Sequence, residues 1–295
     1  MTIAKYNDKK LLDSAKSGHL VGAKSALAAG ANANQLDPAT LMPLTHLAAT
    51  NGHFELLRAL LSTRADVHAK DRDARSLLRR CVEDGFPEGV KIALGHGADL
   101  RDVDIVRDSL LHSACARGRK GARYFDIAKI LVDLGADVKA RNQRGEHPLH
   151  HAARYGGERM TRYMASKSDM AAPDVDGHTP LHAAANGIDN EDGVRALLEA
   201  KADYDARDRN LQSPLHLIAA KSRTRPSDIG MARQILKAGA NAWLRDLDGL
   251  TAHDVAASGY AQRREVHQEL VTLLKPLGVE PPQPPPPERP GRGKA

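Results

Sequence analysis

The sequence predicts an all-α solenoid of about eight helix-turn-helix repeats with β-hairpin fingers between them. One phrase, Pro-Leu-His followed by small residues, is best preserved at Pro148, Pro180 and Pro214. These prolines and their equivalents stand at positions 43, 76, 110, 148, 180, 214 and 252, which are 32 to 38 residues apart. A second phrase, Gly-Ala followed by Asn or Asp, recurs at 30–32, 97–99, 135–137 and 239–241. This period indicates a stacked array, in which each unit buries its apolar face only against its neighbours.

The composition suits a thin stack of short helices. Hydrophobic residues make up 41% of the 295 residues, but aromatic residues make up only 3%. The core must therefore consist of Ala, Leu, Val and Ile, and small residues let helices approach closely.

The repeat divides the chain into a lead of residues 1–7, a solenoid over 8–279 and a tail, 280–295. The first unit, 8–36, lacks the Pro-Leu-His phrase and is expected to be the N-terminal cap, since one of its faces meets water. The eighth, 246–279, has Asp254 where the repeated His would stand, which indicates the C-terminal cap. Units two to seven cover residues 37–70, 71–102, 103–141, 142–173, 174–207 and 208–245.

The sixth unit shows how each element is specified. Thr179 is placed to cap a helix, and Pro180 occupies the first helical position, where its missing N–H costs nothing. A second helix is predicted from Asp192 to Ala200, and Lys201 ends it where positive φ is comfortable. Between units, segments such as 206–210 are expected to form the fingers.

Three irregularities interrupt the pattern. The third unit keeps only the apolar spacing, in Arg75-Ser76-Leu77-Leu78-Arg79-Arg80-Cys81, and the fifth lacks the Gly-Ala ending. The fourth and seventh units carry insertions between their two helices, at 117–123 and 221–226. Because caps and packing residues are lost, units three and four are expected to be the weak joint of the array.

These phrases resemble the ankyrin repeat family, and the resemblance covers roughly residues 8–279. It implies a binding scaffold, in which the fingers and inner helices form an extended concave groove whose exposed residues select a protein partner. It also implies that the repeated imidazoles hydrogen-bond within and between repeats. These are His112, His150, His182 and His216.

Arginine and aromatic side chains mark the predicted partner-binding surface, because these types dominate interface energetics. The alternative is ordinary solvation of the fingers beside their aspartates. Trp243 is either a plug that seals the C-terminal cap or an exposed anchor. The candidate residues are Arg141, Arg144, Arg154, Tyr155, Arg207, Arg209 and Trp243.

The two inserted loops are basic and are expected to project from the edge of the stack opposite the fingers. They are either solvated loops or contacts for an acidic partner, and the acidic loop of the sixth unit between them makes local pairing plausible. The first loop carries Arg117, Arg119, Lys120 and Arg123. The second carries Lys221, Arg223 and Arg225.

The sequence predicts neither catalysis nor a cofactor or metal site. Ligands of one ion must converge to about 2 Å from it, which side chains a full repeat apart can hardly do. His178 and His182 are closer together, but His178 precedes its helix. There is no nucleophile motif or phosphate-binding loop. Cys81 and Cys115 are expected to be buried thiols in a reducing compartment.

The remaining predictions concern location and partners. The formal charge of +6 is modest for this length, so nucleic acid is an unlikely partner, although the basic loops keep a polyanion binder as an alternative. No signal peptide or membrane span is recognisable, which favours a cytoplasmic protein. The Ala- and Arg-rich composition keeps a bacterial effector or adaptor delivered into a host cell as another alternative. The Pro-rich tail, 280–295, predicts polyproline II conformation and is either a solubilising segment or an SH3/WW-type ligand.

Overall fold

The helices of the computed structural model, which describes residues 2–258 and 265–276, fall into eight successive pairs. The predicted all-α repeat fold is therefore confirmed. The pairs are α1 (Ile3–Ser17) and α2 (Leu20–Ala28), α3 (Leu44–Thr50) and α4 (Phe54–Ser62), α5 (Leu77–Asp84) and α6 (Pro87–Gly95), α7 (Leu110–Ala116) and α8 (Ala122–Asp133), α9 (Pro148–His151) and α10 (Gly157–Ala165), α11 (Pro180–Ala185) and α12 (Glu191–Glu199), α13 (Pro214–Ala219) and α14 (Pro226–Lys237), and α15 (Ala252–Ser258) and α16 (Glu265–Leu274).

The first helices of the pairs form one row, in which each helix contacts the next from α1 to α15. The second helices form another row, and Phe125 of α8 meets Tyr163 of α10 there with ring centroids 5.3 Å apart. A single cluster of buried Leu, Ala, Val, Ile, Met and Cys side chains runs between the rows. Each unit thus shelters the apolar face of the next, as expected for a solenoid.

The sixth unit has the local structure that its sequence specifies. The Oγ1 of Thr179 lies 2.9 Å from Nδ1 of His182, and Pro180 begins α11. Helix α11 buries all six of its residues, including Leu181, Ala184 and Ala185, against its neighbours. Lys201 has φ 65°, so the chain leaves α12 in the left-handed region.

The fingers contain less β structure than predicted. In the residues that the structure describes, regular strands are absent, and single antiparallel bridges close four of the fingers, for example between Lys70 and Ser76. One repeated contact explains why the turns are so tight. In the sixth unit, Oδ1 of Asp174 accepts the backbone N–H groups of both Asp176 and His178, at 2.9 and 2.8 Å. A turn tied in this way leaves too few residues for a ladder of strand hydrogen bonds.

The ends of the chain also differ from the predicted divisions. Helix α1 begins at Ile3, so most of the predicted lead, 1–7, belongs to the first helix. At the other end, Oδ2 of Asp254 accepts the backbone N–H of Thr251 at 3.0 Å and its hydroxyl at 2.8 Å, at the start of α15. The Pro-rich segment 280–295 lies outside the described residues.

Candidate protein-binding groove

The surface formed by the fingers and the first helices of units three to seven is here called the finger groove. In units four to seven of this surface, a repeated imidazole ties each unit to the next. Nδ1 of His112 accepts the backbone N–H of Ser109 at 3.1 Å, so the hydrogen is on Nε2, which donates to the carbonyl of Glu146 in the next unit at 2.9 Å. The same inter-unit bond is made by His46, His150, His182 and His216, at 3.0 to 3.1 Å.

Burial keeps these rings neutral. It lowers the pKa of His112 and of His150 to about 4, although the carbonyl that accepts from each ring acts in the opposite direction. The rings therefore serve as neutral donors between units at physiological pH.

In the third unit, an arginine takes the place of this histidine. Arg79 is 2% exposed, and its Nη2 donates to the carbonyl of Asp108 at 2.9 Å, which is the equivalent inter-unit bond. Its guanidinium also contacts Oδ1 of Asp102 at 3.3 Å and Oγ of Ser113 at 3.2 Å. Ser76 still caps α5 by accepting the backbone N–H of Arg79 at 3.1 Å. The predicted loss of the cap in this unit is therefore wrong.

Hydrogen bonds between neighbouring finger tips hold the groove from unit four to unit eight. In each case a backbone N–H donates to a carbonyl of the preceding finger: Gln143 to Val106 at 3.0 Å, Val175 to Arg144 at 2.9 Å, Arg209 to Asp176 at 3.0 Å, and Leu247 to Asn210 at 3.0 Å. Among the described fingers, no equivalent bond joins Arg72 to Ala39 or Ile105 to Asp73. The ladder of finger tips is thus interrupted around the third unit.

Buried charges fill the floor of the groove in the fifth unit. Glu146 is 3% exposed and accepts from Nη1 of Arg154 at 2.7 Å, from Nδ2 of Asn142 at 3.1 Å and from Nε2 of His151 at 3.2 Å. Burial alone would raise the pKa of Glu146, but the contact with His151 and the charge of Arg154 hold that pKa well below its usual range. Glu146 is therefore ionised, and Arg154 is committed to it.

A cavity of about 700 Å³ opens above this floor, between the fingers and the inserted loop of unit four. Two of its apolar side chains are exposed, Tyr155 at 45% and Ile188 at 61%. Lys120 and Arg144 also line it, and neither side chain makes a hydrogen bond or ion pair with any residue that the structure describes. The cavity thus combines apolar surface with unpaired cations. Its lining also includes Arg119, Glu146, Arg154, Asp174, Asp176 and His178.

Contrary to the prediction, the inserted loop of unit four does not project from the edge opposite the fingers, because Arg119 and Lys120 line the same cavity as finger residues. Arg119 reaches over unit five to unit six, where its guanidinium donates to the carbonyl of Ile188 at 3.2 Å and to Oδ1 of Asn190 at 2.5 Å. Asn190 is fully buried and donates in turn to the carbonyl of Ala153 at 2.6 Å. This set of bonds, here called the Arg119 clasp, turns the loop into one wall of the cavity.

The backbone beneath the clasp is adapted to it. The inner helix of unit five continues as a π-helical turn, Ala152–Gly156, and passes directly into α10 at Gly157, which has φ 73°. A Cβ on Gly118 would lie 2.4 Å from the carbonyl oxygen of Gly156, so only glycine allows this approach. The loop of unit four therefore occupies the space above a unit that has no loop of its own.

The loop of unit seven also contacts unit six. Lys221 donates from Nζ to the carbonyl of Gly187 at 2.8 Å and to Oδ1 of Asp228 at 2.6 Å, and burial lowers its pKa. Arg225 provides the backbone N–H that Asp228 accepts at 2.7 Å at the start of α14, and Arg223 is exposed.

The other basic residues of the first loop have local contacts. Arg117 donates to the carbonyl of Ser113 at 3.2 Å, and the guanidinium of Arg123 lies 5.4 Å from the ring centroid of Tyr124. The basic loops therefore do not form two matching clusters of unpaired charge.

The structure brings together three of the seven predicted partner-binding residues, Arg144, Arg154 and Tyr155, which line the same cavity. The others lie elsewhere along the fingers. Arg141 is exposed and donates to the carbonyl of Pro173 at 3.0 Å, and Arg209 is exposed.

Arg207 and Trp243 lie closer to the C-terminal cap. Arg207 is half-buried and donates from Nε to the carbonyl of Leu211 at 3.0 Å, and from Nη2 to the carbonyl of Arg245. Trp243 is half-buried, and its backbone N–H donates to Oδ1 of Asn241 at 2.9 Å.

An apolar finger tip was missed at the sequence level. Val103, Ile105 and Val106 are 53%, 89% and 44% exposed beside the interruption of the finger ladder. The sequence signal was present, because three β-branched apolar residues stand where the fingers of units three, five and seven carry only polar residues.

Fold and groove together define a class, that of helical repeat proteins with an extended recognition surface. A family model described as ankyrin repeats (3 copies) matches residues 11–104, 45–142, 78–167 and 111–208. The chain belongs to the ankyrin repeat family. Ankyrin repeats are generally modules of protein–protein interaction. No described helix is long and apolar enough to cross a membrane.

Similar proteins contain this repeat within larger chains. The chain is 29% identical over 248 residues to human ankyrin repeat and SOCS box protein 16, covering 81% of this chain and 52% of that protein. It is 28% identical to human transient receptor potential cation channel subfamily A member 1, covering 64% of this chain and 17% of the channel. The chain therefore spans about half or less of these relatives.

The fold also matches a solved structure. The ankyrin repeat domain of Bcl-3 superposes with a TM-score of 0.60 and 20% sequence identity, covering 78% of this chain and 96% of that domain. At this identity the match concerns the fold alone.

Proposed function

We propose that the chain is a non-catalytic cytoplasmic scaffold that binds a segment of a protein partner in the finger groove. The observation that carries this proposal is the cavity lined by Tyr155, Ile188, Lys120 and Arg144. Tyrosine and arginine are among the residue types that contribute most to the binding free energy of protein interfaces. Most other charges of the groove are already paired within the chain, as Arg154 is with Glu146.

Preorganisation supports the same proposal. The walls of the cavity are held by the Arg119 clasp on one side and by the finger-tip hydrogen bonds on the other. A preformed groove loses little conformational entropy when a partner binds, so more of the contact energy appears as affinity.

A polyanion binder is less well supported. Nucleic-acid binding needs several cations available for phosphates, and Arg119 and Lys221 are engaged with carbonyl or carboxylate groups of the chain.

The test is affinity capture with the whole chain, combined with a photo-crosslinking residue at position 155. We expect Arg144→Ala/Tyr155→Ala to lose the captured proteins, and the crosslink at position 155 to identify a protein. The matched control is Lys129→Ala/Tyr6→Ala, which removes an exposed cation and an exposed tyrosine from outside the groove. Capture of the same proteins by both double variants would contradict groove binding.

A further inference from the structure

A cluster of three metal-ligating side chains lies on the finger of unit six, at the edge of the same cavity. Asp174, Asp176 and His178 each offer one ligand atom, and these atoms all lie within 4.8 Å of one another. Nδ1 of His178 is 3.4 Å from Oδ2 of Asp174, which is close to the separation of two ligands on one tetrahedral ion. Asp174 is buried and Asp176 is exposed, and all three residues line the cavity.

A buried carboxylate behind the cluster is the second observation. The side chain of Asp208, on the finger of unit seven, is 1% exposed. Its Oδ1 accepts the backbone N–H groups of Asn210 and Gln212, both at 2.8 Å. Its Oδ2 is buried without a hydrogen bond of good geometry and points at the cluster, 3.2 Å from Nε2 of His178.

The charge balance of this finger pair differs from that of earlier fingers. The equivalent carboxylate Asp37 pairs with Lys16 at 2.9 Å, and Asp71 pairs with Arg75 at 3.2 Å. Asp174 and Asp208 instead share one imidazole, and Asp176 adds a third carboxylate with no Lys or Arg within 4 Å among the described side chains. Buried carboxylates need compensating charge, and a divalent cation would supply it.

We propose that Asp174, Asp176 and His178 bind a divalent transition-metal ion, with Zn²⁺ as the best fit. Nδ1 of His178 would supply the nitrogen ligand. Oδ2 of Asp208, 3.2 Å from Nε2, would then accept the Nε2–H once the ring turns toward it, and so fix the orientation of the ring. This carboxylate–histidine–metal arrangement is typical of protein metal sites. One imidazole with two carboxylates is a donor set that suits Zn²⁺ better than Mg²⁺ or Ca²⁺.

The site has a consequence for the groove. Three protein ligands leave a fourth position of a tetrahedral ion open, and all three of these residues line the cavity. A donor atom of a bound partner, or water, completes the coordination there. This binding of metal does not depend on the proposed protein partner and can be measured on the isolated chain.

The test is titration of the full chain with Zn²⁺, followed by calorimetry and by competition with a chromophoric chelator. We expect one ion per chain, bound at least tenfold more weakly by His178→Gln and by Asp176→Asn. Asp176 is exposed, so its variant keeps the fold intact, which circular dichroism checks. Asp208→Asn is expected to weaken binding about tenfold, the size of effect known for residues that orient a ligand.

The matched control is His96→Gln, which removes an exposed histidine far from the cluster and should leave affinity unchanged. Zn²⁺ affinity that is equal in the wild type, His178→Gln and Asp176→Asn would overturn the proposal, as would a dissociation constant above the millimolar range. Equal affinities for Mg²⁺ and Zn²⁺ would also contradict it, because a nitrogen ligand favours Zn²⁺ over Mg²⁺. In each of these cases, the imidazole of His178 would only bridge the carboxylates of Asp174 and Asp208.

Discussion

At the scale of single residues, one side-chain position determines how the units are joined. His46, His112, His150, His182 and His216 occupy this position, and each donates to a carbonyl of the following unit. Because each ring is neutral, burying it costs less desolvation free energy than burying a charged donor would. Arg79 fills the same position in unit three but brings a charge, which Asp102 balances.

The buried rings predict a loss of stability in acid. The folded chain lowers the pKa of His112 from its ordinary value near 6.5 to about 4, so the unfolded chain binds more protons between these values. The free energy of unfolding should therefore fall as pH decreases from about 6.5 to about 4. For one such ring the loss is about 3 kcal/mol at the lower end of this range.

Urea unfolding at pH 7 and at pH 5 measures the effect. His112→Gln keeps a donor but cannot be protonated, so it should reduce the difference between the two pH values. His96→Gln, at an exposed position, should leave that difference unchanged. An unaltered pH dependence in His112→Gln would refute the assignment of the ring as a buried neutral donor.

At the scale of elements, the inserted loop of unit four and the π-helical turn of unit five act together. We expect Arg119→Ala to cost about 2 kcal/mol, since it removes two hydrogen bonds from a charged donor. Gly118→Ala should cost more, because its Cβ would collide with the carbonyl oxygen of Gly156. Lys120→Ala is the control, since that side chain has no partner among the described residues.

Hydrogen exchange of residues 152–165 reports this prediction. Protection there should fall in Arg119→Ala and Gly118→Ala and stay unchanged in Lys120→Ala. If the three variants exchanged alike, the clasp would have no role in ordering unit five.

Much of each element could be predicted from local sequence. Thr179, Pro180 and Leu181 specify a helix start through their own backbone and side-chain preferences. The Arg119 clasp could not be predicted, because it joins residues about seventy positions apart and depends on how the stack brings units four and six together. His46 was not among the predicted repeated imidazoles, because it follows Pro43 by three residues rather than two, yet it makes the same inter-unit bond. The described fingers contain at most single bridges instead of strands because a side chain of the finger holds the turn tightly, as Asp174 does. The sequence pattern of a hairpin does not show how tight such a turn is.

At the scale of the whole molecule, the interrupted finger ladder divides the array into two blocks. Fingers four to eight are joined tip to tip, whereas units three and four are joined through Arg79. Removal of that side chain should leave Asp102 with an uncompensated, largely buried charge, and such losses cost about 3 kcal/mol.

We therefore expect Arg79→Met to separate unfolding into two steps. In hydrogen exchange, residues 3–95 should exchange faster than residues 110–258 in this variant. Arg72→Met, an exposed arginine in the finger of the same unit, should leave both blocks as they are in the wild type. A uniform increase in exchange over the whole chain would count against two blocks.

The Arg119 clasp also limits how this protein can be rebuilt. Repeat arrays normally tolerate the deletion or duplication of a unit, because each unit touches only its immediate neighbours. Here Arg119 of the fourth unit is hydrogen-bonded to the sixth unit across the fifth. Deleting or duplicating residues 142–173 would change the distance between the fourth and sixth units, so these hydrogen bonds would be lost. In engineering this protein, units four to six should therefore be moved or duplicated together.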